Sequence, residues 1–93
     1  MLKETILGVS MVTASLVAAQ SAFAGADCPE APRSEWMSEA DMQKKILNDY
    51  GFSIQKFKVD GNCYEIYGKE SGKRIEVYFN PVNGEIVKKK MKD

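Results

Sequence analysis

The chain of 93 residues contains no histidine. A serine or cysteine nucleophile therefore lacks its usual base, and the commonest metal-ligand type is missing. There is no charge excess either: 13 basic and 13 acidic side chains cancel, so nothing in the balance points to nucleic acid as a partner. Only two cysteines occur, and they are not spaced as Cys-x-x-Cys. No glycine-rich phosphate loop, internal repeat or low-complexity tract is present. The longest apolar run, residues 6–19, is interrupted by Gly8, Ser10, Thr13 and Ser15, and falls short of the roughly 20 apolar residues that a spanning helix needs. These absences argue against an enzyme, a metalloprotein, a cofactor carrier and a nucleic-acid binder. The expectation is a small protein with no catalytic residues, no cofactor and no metal.

What is present begins with an export signal. Residues 1–24 read as a secretory signal peptide. Lys3 supplies a minimal positive start, and Ala22-Phe23-Ala24 gives the small-x-small pattern before a cut at Gly25. Glu4 weakens that start, and an uncleaved membrane anchor is the competing reading. Cys28 lies near the cut, but Asp27 stands where lipid attachment wants a small residue. The expected location is periplasmic or secreted.

The remaining chain is small, and a domain of that size buries only about 60% of the surface exposed when unfolded. An oxidising compartment offers a remedy. Cys28 and Cys63 both follow the cut and allow one connectivity, so a structural disulfide is expected. A redox pair or a metal site fits worse, given the spacing and the lack of histidine.

Residues 25–35, with Pro29 and Pro32, read as an extended lead-in that Cys28 pins to the body. Ser38 is a good helix N-cap, with Glu39 and Asp41 in the first turn where acids favour the helix dipole. Met37 and Met42 stand at staple positions. Met42, Ile46, Leu47 and Tyr50 share a face at helical spacing, and Gly51 suits a helix end, so the spacing predicts a helix over 39–50. Trp36, just upstream, is expected to cap the edge of the core.

Strand signals follow. Phe52 and Ile54 alternate, then Phe57 and Val59 alternate in the opposite phase, as one bulge would produce. Turn residues at 60–62 and 70–72 bound a second strand over 63–68 and a third over 74–79. A turn over 80–84 leads to a short last strand over 85–89. Ile66, Ile75, Val77, Phe79 and Ile86 are expected to face the helix. The other face is expected to be wet, carrying Glu65, Tyr67, Glu76 and Tyr78, with Lys56 and Lys58 beside them if the bulge precedes them. These two tyrosines and two acids are the candidate interaction face, since tyrosine offers apolar area with a hydroxyl handle. Glu65 and Glu76 also read as a carboxylate pair, although solvated acids paired with lysines are the plainer expectation. Residues 89–93 read as a basic, solvated tail. It would guard a sheet edge or contact an anionic membrane surface weakly.

The fold class is α+β: one helix on a three- to four-stranded antiparallel sheet. An ordered set of motifs resembles a known family. They are Trp36-Met37-Ser38-Glu39, Tyr50-Gly51-Phe52, Gly61-Asn62-Cys63-Tyr64-Glu65-Ile66-Tyr67-Gly68, Gly72-Lys73-Arg74-Ile75-Glu76-Val77-Tyr78-Phe79 and Asn80-Pro81-Val82-Asn83-Gly84-Glu85-Ile86-Val87. Together they look like a PepSY domain over residues 36–88, of the small stand-alone exported bacterial type. The family often has Asp-Pro-x-Thr-Gly-Glu at the last turn; Asn80 and Asn83 replace the acid and the threonine here. The resemblance implies a non-catalytic module that inhibits or regulates peptidases in the envelope, and it supplies no functional residues to carry over. Its partner would be a peptidase or another envelope protein, with a homodimer also open. The alternative is a structural or envelope-surface protein without a peptidase partner.

Overall fold

The computed structural model describes residues 25–92. The reading of residues 1–24 as a signal peptide lies outside the described residues. One helix, α1 (Glu39–Lys45), is continued by a π-helical turn (Ile46–Tyr50) and packs on a four-stranded sheet. The strands are β1 (Ser53–Asp60), β2 (Cys63–Glu70), β3 (Lys73–Phe79) and β4 (Ile86–Met91). They form an antiparallel meander in the order β1-β2-β3-β4. The α+β expectation holds.

Local chemistry accounts for each boundary. The Ser38 hydroxyl accepts the Asp41 N–H at 3.1 Å, satisfying one of the free amides at the start of α1. Gly51 ends the helical segment at φ 73°, a left-handed conformation that costs glycine little. The phase slip in the first strand is a bulge between Ile54 and Lys56. Beyond it, Lys56 pairs with Tyr67 and Lys58 with Glu65, so both lysines lie on the face away from the helix, as expected. On the helix side the bulge brings β1 so close to β2 that a Cβ at Gly68 would run into the Ser53 carbonyl.

The core joins Met42 and Ile46 to Phe52, Tyr64, Ile66, Ile75, Val77 and Phe79. Trp36 closes its edge. Its ring meets Tyr64 edge-on at 5.2 Å, its indole N–H donates to the Ala31 carbonyl, and Arg33 stacks on it at 4.2 Å. The turn between β3 and β4 is locked to the helical layer. The Tyr50 hydroxyl donates to the Gly84 carbonyl at 2.8 Å, and the Met37 N–H donates to the Pro81 carbonyl at 2.8 Å. Within the turn, Asn80 Oδ1 accepts the Val82 N–H and Asn83 Oδ1 accepts the Glu85 N–H, each at 2.9 Å. The two asparagines thus provide the acceptor oxygens that a tight turn needs.

Four expectations are corrected. Leu47 is exposed, because the contact line runs Met42–Ile46–Tyr50 at spacings of four and Leu47 falls off its side. Ile86 pairs with Phe79 but remains at the open edge of the sheet, 36% exposed. The lead-in is not wholly extended, since Arg33–Glu35 makes one 3-10 turn. The basic tail is mostly strand: β4 runs through Met91, and the Lys92 N–H still donates to the Arg74 carbonyl at 2.8 Å.

Candidate functional site

Cross-strand register builds the outer face. Residues opposite one another in an antiparallel ladder project to the same side. One row therefore runs Lys56, Tyr67, Glu76, Lys90, and the next runs Lys58, Glu65, Tyr78, Lys88. The four residues singled out in the sequence do come together, but the face is not wet. Glu65 is 1% exposed, Tyr78 3% and Glu76 5%. Tyr67 alone keeps partial access to solvent.

Two things cover this face. The first is the lead-in, held by the Cys28–Cys63 disulfide with its Cα atoms 5.4 Å apart. Cys28, Cys63 and Tyr78 form a small buried cluster with Ala26 packed against it, and Lys88 Nζ donates to the Gly25 carbonyl at 3.3 Å. The second is a fringe of lysines. Lys92 Nζ lies 3.3 Å and Lys90 Nζ 3.8 Å from Glu76 Oε1, and Lys58 Nζ lies 3.6 Å from Glu65 Oε1.

The two acids are inequivalent. Glu76 accepts the Tyr78 hydroxyl at 2.8 Å and faces two ammonium groups. Neither carboxyl oxygen of Glu65 has a hydrogen-bond partner. A buried carboxylate left so is costly, whereas a neutral carboxyl group can donate its proton to a neighbouring carboxylate. Burial, reinforced by Glu76, pushes Glu65 above the usual carboxyl range. The neighbouring Glu65, helped by Tyr78 and Lys92, holds Glu76 down at about 2. Burial and the hydrogen bond to Glu76 raise the Tyr78 phenol. Nearby Glu65 charge raises the Tyr67 phenol as well. Burial without a partner favours a neutral Glu65 beside an ionised Glu76.

Such a pair resembles an acid–base dyad in outline, but both groups are buried. The shallow depression bounded by Glu30, Ala31, Pro32 and Asn62 does not include them. Among the described residues no group of three or more histidine, cysteine or acidic side chains gathers to hold a metal ion. No helix among them is long and apolar enough to cross a membrane.

Sequence reasoning misses the partners of Glu76, because it places Lys90 and Lys92 in a solvated tail. Their signal is the alternation Lys88, Lys90, Lys92, which puts all three on one face of a strand that continues past Lys89.

A single helix on a four-stranded meander, stapled through its lead-in and with its paired carboxyl groups covered, defines a small α+β module. The chain belongs to the PepSY_2 family, described as peptidase propeptide and YPEB domain, which matches it over residues 8–90. No curated protein and no solved structure matches the chain.

Proposed function

We propose that this chain is an exported, non-catalytic interaction module that binds a peptidase of the bacterial envelope and restrains it. The family match over residues 8–90 carries the reading, because the family's description is that of a peptidase propeptide domain. The signal-like residues 1–24 and the Cys28–Cys63 disulfide support an oxidising location outside the cytoplasm.

The docking surface we favour is the free edge of β1 with the part of the outer face beside it. Ser53, Gln55 and Lys56 are exposed there, and Tyr67 lies next to Lys56 with Lys58 at 5.6 Å from its ring. An edge strand with open backbone groups accepts a partner strand. Both edges carry a bulge, and the opposite edge, β4, is less suited because three consecutive lysines, Lys88–Lys90, guard it. Glu65, Glu76 and Tyr78 contribute by supporting this face from within.

The reading of an envelope-surface protein held by its lysines has less support. Lys88 is bonded to Gly25, Lys89 is paired with Glu70 at 2.7 Å, and Lys90 and Lys92 face Glu76. Those charges are largely engaged within the domain.

The test is crosslinking and mass spectrometry after capture from periplasm with the disulfide-bonded protein. Enrichment of one peptidase, followed by inhibition of that enzyme, supports the proposal. Recovery of envelope material that salt removes, or of the chain alone, rejects it.

A further inference from the structure

The lead-in ahead of Cys28 has three attachments to the sheet: the Lys88 bond to the Gly25 carbonyl, Ala26 against the disulfide, and Gly25 beside Tyr78 and Asp60. They lie over Tyr78 and Lys88, in the row that also holds Glu65, and over the Asp60–Cys63 pair at the end of β1 and β2. We propose that this face is a proton-controlled latch: the proton on Glu65, buried without a partner opposite Tyr78, keeps residues 25–27 seated on Tyr78, and its loss releases them while Cys28 stays tethered.

The physical reason is desolvation. With one proton, the pair has a single negative charge, which Tyr78 and the lysines satisfy. Without it, two carboxylates are adjacent in a site that excludes water, and Glu65 has only the Lys58 ammonium at 3.6 Å. The second charge is relieved by admitting water. The strands cannot part without breaking ladder bonds. The lead-in has no ladder and is the cover that gives way. The charged groups around the pair come from every element against it. β1 brings Lys56 and Lys58, β2 the Tyr67 phenol, β3 the Tyr78 phenol, β4 Lys88 and Lys90, and the residue after β4 is Lys92. Asp60 lies beside Gly25, and the lead-in's own Asp27 is exposed. Loss of the proton adds a negative charge beneath a segment that already has these two acids near it.

The experiment is an NMR titration of the disulfide-bonded protein from about pH 4 to about pH 9, following the side-chain carboxyl carbons and the backbone order of Ala26 and Asp27. The expected result is a Glu65 carboxyl midpoint above the ordinary range. At the same midpoint the order parameters of Ala26 and Asp27 fall from about 0.85 to below about 0.6. In Glu65→Gln the side chain stays neutral, and the loss of order disappears. An ordinary Glu65 midpoint overturns the proposal. So does an unchanged lead-in across the titration, or the same loss of order in Glu65→Gln. Should that variant not fold, the wild-type chain still decides, because differing carboxyl and lead-in midpoints also overturn it.

Discussion

The Tyr78 hydroxyl donates to Glu76 Oε2 at 2.8 Å, two residues back along the same strand, β3. Tyr78 sits directly opposite Glu65 in the ladder, so one tyrosine lies against both carboxyl groups of the outer face. Around that contact lie the lead-in, the disulfide and the lysines at the end of the chain.

Stability is expected to peak near pH 4.5 as far as this pair is concerned. Glu76 is held at about 2, below its ordinary 4.5, so its contribution is present above 4.5 and lost as pH falls toward about 2. Glu65 is raised above 4.5, so its contribution is present below 4.5 and lost as pH rises toward its folded value. Urea midpoints measured across pH should rise and then fall. Glu65→Gln should remove the fall on the alkaline side. A profile that keeps the same alkaline fall in the variant contradicts the proton on Glu65.

The disulfide is expected to contribute about 4 kcal/mol by closing a loop of 35 residues in sequence separation, on the chain-entropy estimate. Replacing both cysteines by alanine and measuring denaturant unfolding tests this. A loss below about 1 kcal/mol would mean that the lead-in is held by its other contacts. Intact mass of the exported protein should show no free thiol, in line with both cysteines being bonded.

Gly68→Ala should be among the most damaging single-methyl additions in the sheet. The new Cβ meets the Ser53 carbonyl, which is backbone and cannot swing aside. The expected cost is about 1–3 kcal/mol, the range for overpacking a well-filled site. Thermal unfolding would show it. A variant as stable as the parent would place the Ile54–Lys56 bulge wrongly.

Asn80 separates a side-chain acceptor from mere turn composition. Asn80→Asp keeps an oxygen facing the Val82 N–H, whereas Asn80→Ala removes it. The alanine variant should lose about 1 kcal/mol and the aspartate variant little. Equal losses would show that the bond contributes nothing.

For the interaction reading, Tyr67→Ala is the informative change, because Tyr67 is only half-buried and its loss leaves the carboxyl pair in place. Affinity for a captured peptidase should fall by about tenfold or more, as truncating a buried interface aromatic does, with urea stability near wild type. Unchanged affinity would remove Tyr67 from the docking surface.

Much of the fold is legible because it rests on periodicity. Ile75, Val77 and Phe79 alternate with charged or tyrosine residues, and Phe52 to Val59 change phase, which locates β3 and the β1 bulge from the sequence. The helix start at Ser38 and end at Gly51 are written in single residues, since capping is local chemistry. The candidate face is legible only as an alignment of side chains. Alternation says which residues share a face, but not what lies over that face.

The chain's alternation, caps and turns determined a helix on an antiparallel meander, because these depend on a residue and its near neighbours. Two cysteines after the export-like segment also determined their own pairing. Only tertiary structure decided the state of Glu65 and Glu76. Lys90 and Lys92 reach Glu76, and Cys28 packs with the Tyr78 that lies opposite Glu65, all from distant parts of the chain. Buried on this face, Glu65 is pushed up and Glu76 held down, and no local pattern encodes the groups that bury them.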